Sequence, residues 1–352
     1  MPINKKHRRL LPLLFPIFSM LVCSSCHESP EYPNNLYGNF DALWEIVDSR
    51  YCFFSEKGID WDEIGETYRK KITAETTPTE LFFICADMLD ELKDGHVNLS
   101  SRFTTSYYRQ WWTDYPQDFS LRTLEEYYLK FDWLSTSGIM YTQLPGEIAY
   151  MYYPNFSTTV GETSLDYILA ILHNSRGLII DIRDNGGGLL TNIDTFVGRF
   201  IDREICGGYI THKTGPGHED FSKPYPITYK PAKSGRVKWT GPIILLTNRS
   251  CYSAANSFAS VMKSLPNVKI VGARTGGGGG LPFSSEVPIG WGVRFSASPV
   301  YNSDMECIEF GIDPSPDCEV HCTAEELADG KDRILEFAIN QLKDLPLPEN
   351  KK

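Results

Sequence analysis

The apolar run Ile243-Ile244-Leu245-Leu246-Thr247 leads through Asn248-Arg249-Ser250-Cys251-Tyr252 into Ser253-Ala254-Ala255-Asn256-Ser257-Phe258. A serine in the first turn of a helix that follows a buried strand sits at the positive end of the helix dipole, where its oxygen is favoured as a developing anion. Ser253 is therefore a candidate nucleophile, although the same position suits a serine that only caps the helix. A second segment bears on the choice. The apolar strand Leu178-Ile179-Ile180-Asp181-Ile182 continues through Arg183-Asp184-Asn185 into Gly186-Gly187-Gly188. Glycines let the backbone turn its N–H groups toward a ligand, which is how an oxyanion hole is built. Phosphate loops and plain turns share such glycines, but no Gly-Lys-Ser/Thr follows, which argues against a Walker-type loop. Cys318-x-x-His321-Cys322 gathers three possible metal ligands without a fourth, so no metal is expected there, and no motif implies a cofactor.

The elements that must position these residues are legible as periodicities. Phe40, Leu43, Trp44 and Val47 recur at helical spacing, with Asn39 placed to cap. A second helix follows Asp60 through Ile72, and a third, opened by Thr79, carries Leu81, Ile84, Cys85, Met88 and Leu92 on one face. Gly95 in Lys93-Asp94-Gly95-His96 offers the left-handed residue that ends it. From Gly146 onward strands and helices alternate: strands at Ile148–Tyr153, Leu178–Ile182, Ile243–Thr247 and Val268–Val271, helices at Thr163–Asn174, Leu190–Ile201 and Ala254–Leu265. This pattern predicts an α/β fold with a largely parallel sheet covered by helices. Residues 205–240 and 281–300 read as added antiparallel strands and loops, and a final helix opens at Thr323, with Glu326 completing a capping box.

The motifs Asp181-Ile-Arg-Asp-Asn-Gly-Gly-Gly188, Ser253-Ala-Ala-Asn, Val271-Gly-Ala-Arg-Thr275-Gly and Glu309-Phe-Gly-Ile-Asp-Pro314, with Asp317 nearby, occur in an order that resembles the tail-specific, or C-terminal processing, proteases. The resemblance covers most of residues 146–320. It implies a crotonase-like (ClpP-like) core, a nucleophilic Ser253, and an oxyanion hole combining the Ala254 N–H with one from Gly186 or Gly187. The Ser-Lys branch places its lysine three residues after the Gly-x-x-Thr segment, and here that position is Gly278. The tricorn-like branch instead draws a histidine from the preceding helical unit, and Leu92-Lys-Asp-Gly-His96-Val-Asn-Leu is similar to that segment. Imidazole has a pKa suited to activating a serine near neutral pH, so His96 is the expected general base. The pattern implies Glu309 as the acid of the relay, with Glu306 as rival, while Gly95 stands where a relay serine would be. The tract 101–145, dense in Tyr, Trp, Thr and Ser, is short for the PDZ module many such proteases carry; its aromatics would line a peptide-binding surface or pack as core.

The N-terminus adds a location. Met1-Pro-Ile-Asn-Lys-Lys-His-Arg-Arg is basic and precedes an apolar run, Leu10 to Val22, laid out as a secretory signal. At roughly 13 residues the run is shorter than a bilayer-spanning helix needs. Ser24-Ser25-Cys26 resembles a lipobox, with Cys26 the candidate lipidation site. Loss of residues 1–25 takes the formal charge from −11 to −15, which disfavours nucleic acid as a partner. The expected organisation is a lipoprotein signal peptide (1–25), a tether (26–37), a helical subdomain (38–100), the aromatic-rich segment (101–145) and a peptidase domain (146–346). An exported serine peptidase acting on peptides or unfolded protein, lipid-anchored to a cell-envelope membrane, is the reading that follows. The alternative is a catalytically inert peptide- or ligand-binding lipoprotein that retains the fold.

Overall fold

The computed structural model describes residues 31–348; the signal segment and Cys26 lie outside them. The first long helix is Leu36–Asp48, capped by the Asn35 side chain accepting the Gly38 N–H at 2.9 Å. Asn39, expected as the cap, lies one turn inside, where its buried side chain accepts the Ile289 N–H at 2.8 Å. The helix expected to follow Asp60 through Ile72 spans Trp61–Arg69, with the Asp60 side chain as its cap. The helix expected to open at Thr79 spans Pro78–Asp90 and is capped at Thr77, which forms a capping box with Glu80. Pro78 is tolerated because the first helical N–H has no intrahelical acceptor. The left-handed residue after this helix is Lys93, φ 47°, not Gly95. The turn is completed by Asp94, whose carboxylate accepts the His96 N–H at 2.8 Å.

Twelve strands are formed among the described residues: β1 (Asn98–Ser100), β2 (Thr105–Tyr107), β3 (Leu134–Thr136), β4 (Ile139–Leu144), β5 (Ile148–Tyr152), β6 (Leu178–Asp181), β7 (Ile205–Ile210), β8 (Tyr225–Tyr229), β9 (Ile243–Thr247), β10 (Val268–Gly272), β11 (Gly280–Glu286) and β12 (Gly292–Tyr301). One sheet runs β10-β9-β6-β5-β4-β3, parallel from β10 to β5 and antiparallel beyond. Alternate residues of its apolar strands enter opposite cores. Leu178, Ile180, Ile243 and Leu245 meet the helices Glu162–Leu172, Thr191–Val197 and Ala254–Lys263. Ile179, Ile244 and Leu246 meet the helix Arg333–Leu342 and residues 119–129. Burial on both faces explains why these strands are apolar throughout. The helix expected over Leu190–Ile201 is confined to Thr191–Val197, and the expected final helix is two, Ala324–Ala328 and Arg333–Leu342. Thr323 caps the first with the expected box to Glu326.

The second sheet, β2-β1-β12-β7-β8 with β11 on β12, is antiparallel. The N-terminal helices pack on it through Leu43, Phe53, Phe82 and Leu89 against Leu99, Val293 and Phe295. Beneath the glycine loop, the fully buried Arg183 guanidinium pairs with Asp181 (2.6 Å) and Asp332 (2.8 Å) and lies 4.4 Å from the Phe119 ring centroid. Asp332 also caps Arg333–Leu342 by accepting the Leu335 N–H. The charged residues of the Asp181-Ile-Arg motif thus anchor the last helix to the strand that carries the glycines. No helix among the described residues is long and apolar enough to cross a membrane.

Candidate active site

Strand β9 ends at Thr247, and the chain turns through residues 248–252 before helix Ala254–Lys263. At the apex, Ser253 has φ 55° and ψ −119°, a left-handed backbone that costs a non-glycine residue about 1–3 kcal/mol. Its side chain makes no cap bond to the helix that follows, so the conformation is not that of a capping serine. Backbone bonds hold the apex: Ser253 N–H donates to Gly277 O (2.9 Å), Tyr252 N–H to Asn185 O (3.0 Å) and Gly276 N–H to Cys251 O (2.7 Å). Gly277 has φ 87°, and a Cβ there would come within 1.8 Å of Glu309 O; only glycine permits so close an approach.

The Ser253 Oγ lies 3.0 Å from His96 Nε2, across 157 residues of sequence. The imidazole is buried, packed edge-on against Tyr252 with ring centroids 5.0 Å apart, and its Nδ1 is 3.3 Å from Ser296 Oγ on β12. Burial pushes its pKa down to about 4; Asp94 opposes this, while Arg294 and Lys57 add to it. The ring is accordingly neutral near pH 7. With Nε2 accepting the Ser253 hydroxyl, Nδ1 carries the proton and donates to Ser296.

Glu309 is buried beside this group without bonding to the imidazole. Its carboxylate takes the Lys57 ammonium at 2.8 Å and the Gly279 N–H at 2.9 Å. Burial, then the charge of Asp94, raises its pKa to about 7 against the pull of Lys57. The rival, Glu306, is exposed and accepts from Asn302 at 2.8 Å. The group facing His96 Nδ1 is thus the Ser296 hydroxyl, where the resemblance implied Glu309. Asp94 is also buried. Burial works against its charge, yet Lys57, His96 and the His96 N–H together hold its pKa below the usual value.

The glycine loop lies against the serine. A Cβ on Gly187 (φ 97°) would fall 2.9 Å from both Ser253 Cβ and Ala254 N. The Gly187 N–H, one of the two expected oxyanion donors from this loop, is taken by Asn185 Oδ1 at 2.9 Å. Those of Gly186 and Ala254 have no acceptor among the described residues, and Gly186 is exposed. Gly95 and Gly278 also have steric reasons to be glycine. A Cβ on Gly95 would come within 2.5 Å of Trp111 Nε1, and one on Gly278 within 2.6 Å of the Tyr252 ring. Trp111, from the aromatic tract, stacks on Tyr252 at 4.1 Å. Sequence reasoning missed Lys57, Asp94 and Ser296. Asp94, two residues before His96, carried a readable Asx-turn signal, but nothing local marks the other two.

Residues 147–320 match peptidase family S41, and residues 33–90 match the Tricorn protease C1 domain. The structure is similar to a candidate peptidase from Parabacteroides merdae ATCC 43184, with TM-score 0.83 and 45% identity over 88% of this chain and 97% of that one. Similarity in sequence extends to the carboxy-terminal processing protease CtpA of Bacillus subtilis, 27% identical over 47% of this chain and 34% of that protein. It extends also to the Tricorn protease of Thermoplasma acidophilum, 27% identical over 56% of this chain and 17% of that protein. The chain therefore spans about a third of the one and about a sixth of the other. The class is that of serine-type peptidases with an α/β core. Within it, the chain belongs to peptidase family S41, and it resembles both the tail-specific proteases and the tricorn protease.

Proposed function

We propose that the protein is an exported serine peptidase that cleaves peptides or unfolded protein through an acyl-enzyme on Ser253. The observation that carries this reading is the 3.0 Å approach of Ser253 Oγ to His96 Nε2 at a strained strand-to-helix apex. His96 takes the hydroxyl proton as Oγ bonds to the scissile carbonyl carbon. The carbonyl π electrons move onto oxygen, and the N–H groups of Ala254 and Gly186 stabilise the oxyanion. The imidazolium then gives its proton to the leaving amine as the C–N bond breaks. Water, deprotonated by the same ring, releases the acid and restores Ser253. Ser296 orients the ring, and the charge of Asp94 favours the imidazolium as it forms.

A fluorophosphonate probe tests the assignment, because its phosphoryl oxygen mimics the tetrahedral oxyanion. The label is expected on the peptide containing Ser253 and not on Ser250 or Ser257. Label on Ser250 would shift the site, and a folded protein that takes no label and cleaves no peptide library would favour the inert binding lipoprotein. We further propose that Cys26 is diacylated and tethers the enzyme to a membrane, since it follows a small residue at the end of an apolar run of signal length. Cys26→Ala is expected to abolish incorporation of labelled fatty acid and to stall processing or release soluble protein. Unchanged lipid labelling would show that another residue is modified.

A further inference from the structure

Lys57 closes the four-residue helix Phe54–Lys57, and its side chain is only 10% exposed. The ammonium has three donors, and all three have acceptors: Glu309 Oε1 at 2.8 Å and the carbonyls of Leu92 and Lys93, each at 3.2 Å. These acceptors belong to different parts of the site. Leu92 and Lys93 follow the helix Pro78–Asp90 and lead into the Asp94 turn that presents His96. Glu309 uses its other oxygen to hold the Gly279 N–H, two residues from Gly277, whose carbonyl fixes the Ser253 N–H.

The proton transfers described above make no use of this ammonium. An amine withdrawn from water is costly unless fully paired, and here the pairing spans the two segments that must meet. Around it stand Asp94, Glu309, His96 and the Cys52 thiol. Burial disfavours the ammonium, but the two carboxylates outweigh it and keep Lys57 charged.

We propose that Lys57 is a positioning residue. It clamps the His96 turn to the Ser253 loop, so that the 3.0 Å approach of imidazole to hydroxyl depends on a residue in the N-terminal helices. The inference rests on the Ser253–His96 reading of the site.

Lys57→Met is expected to lower kcat about 100-fold, the scale of an ångström-sized misplacement of reacting groups, with KM within about threefold of wild type. Fluorophosphonate labelling of Ser253, counted per folded molecule, slows with kcat. Glu309→Gln weakens the same clamp and costs less. Because both act through one link, the double variant loses no more than Lys57→Met alone. Lys57→Gln, which keeps a donor, replaces Lys57→Met should that protein fail to fold. Wild-type kcat per folded molecule in either Lys57 variant overturns the clamp, as do strictly additive losses in the double. A wild-type protein that does not label at Ser253 indicts the active-site reading instead, so the two failures are distinguishable.

Discussion

Ser253→Ala is expected to lower kcat on an unstructured protein substrate by about 10⁶-fold, leaving the residual rate that substrate binding and the oxyanion donors support. The size follows from what is removed. Without Oγ there is no acyl-enzyme, and His96 has no hydroxyl to deprotonate; only general-base attack by water against the Ala254 and Gly186 amides remains. KM should change little, because Oγ is spent on the reacting atom and not on binding the rest of the substrate. The fold should survive. Ser253 Oγ bonds to His96 and makes no cap bond, so its loss costs about 1 kcal/mol or less, and alanine inherits the same left-handed backbone. Thermal unfolding matching wild type, beside an assay with no turnover, is the expected pair of results. Hydrolysis retained at more than a few per cent would remove Ser253 as the nucleophile.

The strand-to-helix apex was readable because its signals are local: four apolar residues and a threonine in β9, a polar turn, then helical spacing from Ala254. The parallel sheet was readable for the same reason, since strands buried on both faces cannot alternate. Two helix starts shifted where residues of similar chemistry competed. Asn35 and Asn39 both suit a cap, as do Thr77 and Thr79, and only packing decides which one is outside the helix. The neighbours of the imidazole were harder. Ser296 approaches it across 200 residues within a strand whose serines look alike in sequence. Lys57 ends a four-residue helix too short to have a period. Gly95 looked like a helix stop, yet its lack of a side chain makes room for Trp111 and Tyr252. That requirement exists only once residues from three distant segments have converged.

His96→Ala is expected to cost activity on the same scale as Ser253→Ala, about 10⁴–10⁶-fold, because the two act as one unit. Its pH behaviour is the more discriminating result. Catalysis needs the neutral ring, and burial lowers its pKa from 6.5 to about 4. The acid limb of the wild-type kcat/KM profile set by this ring should therefore lie near pH 4, about 2.5 units below that of an exposed histidine. The same shift enters stability. Between pH 6.5 and 4 the unfolded chain protonates this histidine while the native state does not, so the native state loses up to about 1.4 kcal/mol per pH unit as pH falls. Glu309 works in the opposite sense. Its pKa rises from 4.5 to about 7, so the native state binds the proton first and gains stability as pH falls through that window. In the wild type the two contributions offset each other from about pH 6.5 to 4.5. His96→Ala removes the opposing one, and the variant should become more stable relative to wild type as pH drops from 7 to 5. Urea unfolding across that range measures the stability difference, and initial rates measure the limb. A wild-type limb at pH 6.5 or above that persists in Glu309→Gln, and so does not come from protonation of the Lys57 partner, or near-normal turnover in His96→Ala, would show that another group takes the proton from Ser253.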